Sequence, residues 1–252
     1  MKKNIEIIIN NSELGAGTRG SSLGPDAILT VARKEKSTFF SENVPVRIKN
    51  ENHLLDLPNH SHCAKRIDGI CEIYSRVMNQ VQMSFQNSET LCIISGDHSS
   101  AAATIAGIKN SHPNKKIGVI WIDAHADIHS PYTTPSGNIH GMPLAVALNI
   151  DNKPNKRNDP KHSTIRKWEW MKNMAGKKEP TISPKDLVYI GLRDVENEEI
   201  KLIESLGIKN ISVEENRDHG TSKTVSNINS YFKNHDLIYV SFDVDSMDPE
   251  DA

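Results

Sequence analysis

Apolar and polar positions follow two different rhythms along this chain. Seven short β-rich runs stand out, at residues 5–9, 44–48, 91–95, 117–122, 187–192, 208–213 and 237–242. Several are continuous apolar stretches, the pattern of strands covered on both faces. Between them the spacing lengthens to three or four. Ile67, Ile70, Tyr74, Val77, Met78, Val81 and Phe85 fall on one stripe of a helix of about five turns. Gly24-Pro25 opens another helical segment, with proline suited to the first turn. Further helices are predicted over 99–109, 164–173, 196–206 and 221–234. Alternating β and α units predict a mainly parallel sheet held between helices, an α/β fold.

No internal repeat divides the chain, and residues 1–252 read as one domain. The stretch 151–184, rich in Lys, Asn and Pro, reads as a surface excursion carrying one amphipathic helix around Trp168 and Met171. The end is unusual. An apolar run leads into Asp243-Val244-Asp245, and the chain stops nine residues after Asp243. A central parallel strand needs a following helix to cover it, so the expectation is a C-terminally incomplete domain.

Composition narrows the function. Net charge is −2 with no block of one sign, which argues against nucleic acid or an anionic membrane as the main partner. Aromatic residues are 5%, so aliphatic side chains must fill the interior. Cys63, Cys71 and Cys92 form no CxxC pair, which argues against a zinc knuckle or a disulfide framework. The first apolar run is interrupted by Glu6 and ends at Asn10, too short for a secretory leader. No stretch approaches the ~18 apolar residues of a membrane span. A cytoplasmic protein is expected.

Three clusters of acidic and imidazole residues each follow a predicted strand: Asp97-His98, Asp123-Ala124-His125-Ala126-Asp127, and Asp243-Val244-Asp245. Ligands gather at the carboxyl ends of strands in α/β sheets, so three such ends can converge. In extended chain, residues two apart face one side, which would aim Asp123, His125 and Asp127 together. His98 alone would read as a helix-start residue, and a lone Asp-x-Asp is common; the combination is not. Four carboxylates would repel unless divalent cations neutralise them. Six ligands exceed what one ion needs once water is counted, and suit two ions about 3.5–4 Å apart. An oxygen-rich set with one histidine per ion favours Mn²⁺ over Zn²⁺.

The segment 121–143, Trp-Ile-Asp-Ala-His-Ala-Asp-Ile-His-Ser-Pro-Tyr-Thr-Thr-Pro-Ser-Gly-Asn-Ile-His-Gly-Met-Pro, closely resembles the signature of arginases. Residues 95–99 and 241–249 resemble that family's other two metal motifs, and Gly15-Ala-Gly-Thr-Arg-Gly20 its N-terminal loop. The resemblance covers nearly the whole chain. It implies a three-layer α/β/α sandwich on an eight-stranded parallel sheet, with the last strand and helices missing here. It implies one Mn²⁺ on His98, Asp123, Asp127 and Asp243 and another on Asp123, His125, Asp243 and Asp245, with Asp123 and Asp243 bridging.

The activity so implied is hydrolysis of L-arginine to L-ornithine and urea by a hydroxide shared between the two ions. A guanidinium is a delocalised cation of pKa above ~12 and a poor electrophile, which is why an activated nucleophile is needed. His140 takes the proton-shuttle position and Asp127 can accept a hydrogen bond from the hydroxide. Thr134, Ser136 and Asn138 match a loop that holds the substrate carboxylate. Glu196 and Glu199 match positions facing the α-amine, although Glu196 also reads as a helix start. Three departures stand out: His129, a substrate-binding position near the carboxylate where many arginases carry asparagine, Glu196 where aspartate is usual, and Ser95 for the first glycine of Gly-Gly-Asp-His. The part of the family beyond the Asp-x-Asp motif carries a glutamate for the guanidinium and trimer contacts, so a homo-oligomer, trimer or hexamer, is expected of a full-length chain. Agmatinase or another guanidino-compound amidinohydrolase is the nearest alternative, and a non-catalytic, truncated metal-binding relative is an alternative of another class.

Overall fold

The computed structural model describes residues 5–176 and 179–248. In chain order the elements are β1 (Ile5–Asn10), α1 (Gly24–Lys34), α2 (Phe39–Glu42), β2 (Val46–Arg47), α3 (Ile67–Ser84), β3 (Thr90–Ser95), α4 (Ala101–Ser111) and β4 (Ile117–Ile122). They continue with α5 (Pro143–Ala147), α6 (His162–Lys172), β5 (Leu187–Ile190), α7 (Asn197–Leu206), β6 (Lys209–Ile211), α8 (Val213–Tyr231) and β7 (Leu237–Phe242). Every described strand pair is parallel. This is a parallel-sheet α/β fold of three layers.

The strands pair in two groups, β2-β1-β3 and β6-β5-β4-β7. One large core fills the face on which α3 to α6 pack. Side chains at every second position of β4 enter it, Ile117, Val119 and Trp121, and meet Ile70, Tyr74 and Ile105 from the helices. On the other face α8 covers Val188 and Ile211 through Ile228 and Phe232. Gly220, at φ 72° and ψ 159°, breaks α8 into two segments, because an L side chain rarely adopts that backbone.

Cover on that second face does not reach β7. Ile238, Val240 and Phe242 are 47%, 53% and 58% exposed. Among the described residues, the outer edges of β3 and β7 pair with no strand, and a groove of about 680 Å³ separates them. Leu91, Ile93, Tyr239 and Ser241 line it, and it opens at one end onto His98 and Asp243.

All seven predicted strands form, several shorter than expected: 44–48 yields only Val46–Arg47, and Val213 starts α8 instead of ending β6. The stretch 151–184 is less loose than its composition suggests. Trp168 and Met171 are fully buried, and Asp151 accepts from Trp168 Nε1 at 2.9 Å and from Lys172 Nζ at 2.7 Å. Pro249, which closes the third predicted metal motif, lies outside the described residues.

Candidate metal centre

The carboxyl ends of β3, β4 and β7 meet at one place. Asp97 follows β3 and caps a short 3-10 turn, accepting from Ser99 N at 2.9 Å. This turn delivers His98. Its Nδ1 lies 3.1 Å from Asp123 Oδ2, 3.0 Å from Asp127 Oδ2 and 3.1 Å from Asp243 Oδ2. Its other nitrogen meets Ser241 Oγ at 2.7 Å, and its ring stacks on Trp121 with centroids 4.2 Å apart.

Asp123, His125 and Asp127 do converge, but not by strand alternation. His125 N donates to Asp123 Oδ1 at 2.8 Å, a side-chain turn that bends the chain straight after β4. Asp127 then sits at φ 49°, the left-handed region that aspartate tolerates better than most residues. His125 Nδ1 is 3.0 Å from Asp245 Oδ2 and 3.6 Å from Asp123 Oδ1.

Two ligand groups result, His98 with Asp123 and Asp243, and Asp123 with His125 and Asp245. Asp123 is common to both. Asp243 joins the second only indirectly, accepting from Asp245 N at 3.1 Å. The fit to a divalent cation is clearest at His98 Nδ1. It is buried, makes no hydrogen bond, and still has three carboxylate oxygens within about van der Waals reach. A cation that takes the imidazole lone pair and the three oxygens removes this conflict.

The electrostatics carry the same message. Burial disfavours charge on His98, yet the surrounding Asp123, Asp127 and Asp243 carboxylates push its pKa well above the ordinary range. Hydrogen bonds to Asp123 and Asp245 push His125 up to about 11. Burial raises Asp127, with His98 pulling against it, while Asp123 is held well below the usual range, against its own burial, by His125 and His98. These directions mark a cluster of carboxylates that demands positive charge at its centre.

Around the cluster, the predicted substrate residues fall into two groups. Glu196 stands at the N-cap of α7 and Glu199 at its third position, where the Glu199 carboxylate accepts from Glu196 N at 3.3 Å and from Ile128 N at 3.2 Å. The helix-start role of Glu196 is therefore realised, and it brings the glutamates beside His129, whose Nε2 is 3.2 Å from Glu196 Oε2. Burial and the adjacent Glu196 carboxylate push Glu199 up to about 9, so the two share one negative charge at neutral pH.

The second group is the loop 134–140. Thr134 is buried and its hydroxyl accepts from Gly137 N at 2.9 Å, a turn-bracing bond. Ser136 is exposed and accepts from Asn138 N at 3.1 Å. Asn138 Oδ1 is buried without a partner. Gly137, at φ 77°, passes so close to the His62 carbonyl that no Cβ fits. His140 is half-buried, and its backbone N donates to Gly15 O at 3.1 Å, seating the loop against the N-terminal segment.

Several supporting residues were not singled out from the sequence. Trp121 Nε1 donates to Asp123 Oδ2 at 2.9 Å, while Asp97, grouped with His98 in the sequence, accepts from Gly15 N at 2.9 Å through Oδ2. The Arg193 guanidinium donates to the successive carbonyls of Asp245, Ser246 and Met247, holding the loop that carries Asp245. Trp121 and Ser241 stand two residues before Asp123 and Asp243, so strand alternation was the available signal.

Acidic and imidazole groups gathered at the carboxyl ends of a parallel sheet define an α/β enzyme of the metal-binding kind. The chain belongs to the arginase family, hydrolases acting on amidine C–N bonds: residues 4–252 match that family. It is 32% identical to the arginase of Brevibacillus brevis, covering 100% of this chain and 78% of that one. It is 34% identical to arginase-1 of Rattus norvegicus, over 98% of this chain and 72% of the relative. Its structure is similar to that of Entamoeba histolytica arginase in complex with L-ornithine, with a TM-score of 0.81 at 25% identity, covering 99% of this chain and 79% of that one.

Proposed function

We propose that this protein hydrolyses L-arginine to L-ornithine and urea, using two Mn²⁺ ions. The observation that carries the reading is the pair of ligand groups joined through Asp123, in a chain of the arginase family. The ions, when bound, supply nucleophilic hydroxide from water at neutral pH and draw off the charge that builds up during attack on the guanidinium carbon.

His98, Asp123, Asp127 and Asp243 would hold one ion, and Asp123, His125, Asp243 and Asp245 the other. Every remaining task falls to side chains. Asp127, which reaches into the cluster from a fixed left-handed backbone, accepts a hydrogen bond from the attacking oxygen. His140 gives the departing amine its proton, so that ornithine leaves as a neutral amine and not as an amide anion. Glu196, ionised at the mouth, and Glu199 behind it attract the α-ammonium. Ser136 and Asn138 face the α-carboxylate with a hydroxyl and an amide, while Thr134 braces their loop. In this reading the enzyme works in the cytoplasm on a small molecule, as a homo-oligomer; no helix among the described residues is long and apolar enough to cross a membrane.

The test is urea release by the Mn²⁺-loaded chain, with agmatine as the parallel substrate. Urea from arginine and little from agmatine is expected. Equal turnover of both, or urea from agmatine alone, overturns the substrate.

A further inference from the structure

Two departures from the usual arginase pattern, histidine at 129 and glutamate at 196, lie 67 positions apart in the chain and are hydrogen-bonded to each other in the fold. Each alone looks like an isolated variation. Together they have a common geometry.

Glu196 carries a side chain one methylene longer than aspartate and is 46% exposed; its capping box with Glu199 holds it from the helix side, and His129 is its partner from the loop side. His129 is buried. The ring is held from both ends: Nδ1 lies 3.0 Å from Thr133 Oγ1, and Nε2 lies 3.2 Å from Glu196 Oε2. An ionised carboxylate only accepts, so Nε2 carries the proton. In the neutral ring Nδ1 is then an acceptor and takes the Thr133 hydroxyl proton. Thr133 is itself fixed, accepting from Ser130 N at 3.1 Å. The result is a relay of orientation from the backbone at Ser130, through Thr133 and His129, to one oxygen of Glu196.

Glu199 does not compete for that donor. Its Oε2 is 3.6 Å from His129 Nε2, beyond hydrogen-bond reach, and it is occupied by Glu196 N. The imidazole also carries its donor farther from the backbone than the amide of asparagine would. It reaches a carboxylate displaced by one methylene, which the shorter asparagine would leave without this donor.

We infer that His129 and Glu196 are a coupled positioning pair, in which His129 fixes the Glu196 carboxylate where it receives the substrate α-ammonium. The inference rests on the proposed arginine-hydrolysing function. His129 acts through Glu196, leaving the metal ligands alone, so its effect falls on recognition and not on the chemical step. It follows that neither departure is tolerated well without the other, and that reverting both together restores the site.

The experiment is a double-mutant cycle of H129N, E196D and H129N/E196D in the Mn²⁺-loaded chain. Its readouts are KM and kcat for L-arginine and for agmatine, with calorimetric binding of L-ornithine, which needs no turnover. Each single variant is expected to raise KM for arginine, and Kd for ornithine, about tenfold, with kcat held within about twofold, in line with the coupling seen between contacting residues. The double variant is expected to recover to within about threefold of the parent. Agmatine, which keeps this ammonium and lacks only the α-carboxylate, should lose affinity in parallel in each single variant and regain it in the double variant. H129Q, which keeps a neutral donor on a longer arm, should be milder than H129N, and unchanged Mn²⁺ content in every variant would show that the fold is kept. A double variant as weak as the product of the two singles overturns the pairing while leaving the proposed function intact. A parent chain that shows no preference for arginine or ornithine over agmatine overturns the proposed function, and this inference with it.

Discussion

Strands β4 and β7 lie side by side and perform the same task in very different surroundings. Each ends in an aspartate that enters the cluster, Asp123 from β4 and Asp243 from β7. β4 pairs on both edges, with β5 and β7, and its Ile117, Val119 and Trp121 are buried. Among the described residues β7 pairs on one edge, and every second side chain faces out. The carboxylates inherit the contrast. Asp123 receives Trp121 Nε1 and His125 N on its two oxygens, while the side chain of Asp243, 28% exposed, receives Asp245 N beside an open groove. The comparison separates a ligand made rigid by burial from one placed by a loop and its clamp.

The comparison breaks most visibly at its rigid member. D123N removes the carboxylate common to both ligand groups, and urea release is expected to fall on the order of a thousandfold, since the activating charge of both ions goes with it; a variant that retains a tenth of the activity would show that Asp123 is not the shared ligand. W121F keeps the buried ring but deletes the hydrogen bond to Asp123. It should weaken Mn²⁺ affinity about ten- to a hundredfold, the usual cost of losing a group that orients a ligand, with metal titration as the readout.

The flexible member can be sharpened in the same way. R193A releases the loop 245–247, and the second Mn²⁺ should bind about tenfold more weakly while the first is little affected; equal weakening of both would mean that Arg193 supports the whole cluster. Amide exchange offers a test without mutation. Amides of β4 should exchange last and those on the open edges of β3 and β7 early, because protection follows burial and pairing; equal protection along all three would contradict the contrast.

Much of this was legible in the sequence, for physical reasons. Short runs rich in β-branched residues and bounded by polar turns favour strands, so all seven strands were legible, and the ligand residues follow three of them directly. Short elements were less visible: Pro143–Ala147 is about a turn and a half, too short to show a helical period, and Phe39–Glu42 is shorter still. The route by which Asp127 joins its neighbours was hidden, because a left-handed aspartate leaves no periodic trace. Arg193 was hidden for a different reason. Its partners are backbone carbonyls 52 to 54 positions away, and carbonyls have no identity in a sequence. The pairing of His129 with Glu196 needed the fold, since nothing local relates residue 129 to residue 196.

The smallest expected effect lies at the opposite end of β5. Asp186 is buried and accepts from Ser183 N at 3.0 Å, Ser183 Oγ at 2.8 Å and His235 Nε2 at 2.9 Å. Burial opposes its charge, but these bonds and Lys116 hold its pKa below the ordinary value. A depressed carboxylate stabilises the fold fully above its unfolded pKa of about 3.9, and that contribution disappears as pH falls through the folded value. D186N should therefore cost about 1–3 kcal/mol at neutral pH, and the difference from the parent should shrink in acid. Denaturant titration across pH checks it; a difference that grows in acid would reverse the sign.

The most direct test of the two-ion account is the Mn²⁺ stoichiometry of the parent chain, D245N and D123N by equilibrium dialysis. The account requires two ions in the parent, one in D245N, which keeps the His98 group whole, and none held tightly in D123N. One ion in the parent, or two in D123N, would contradict it.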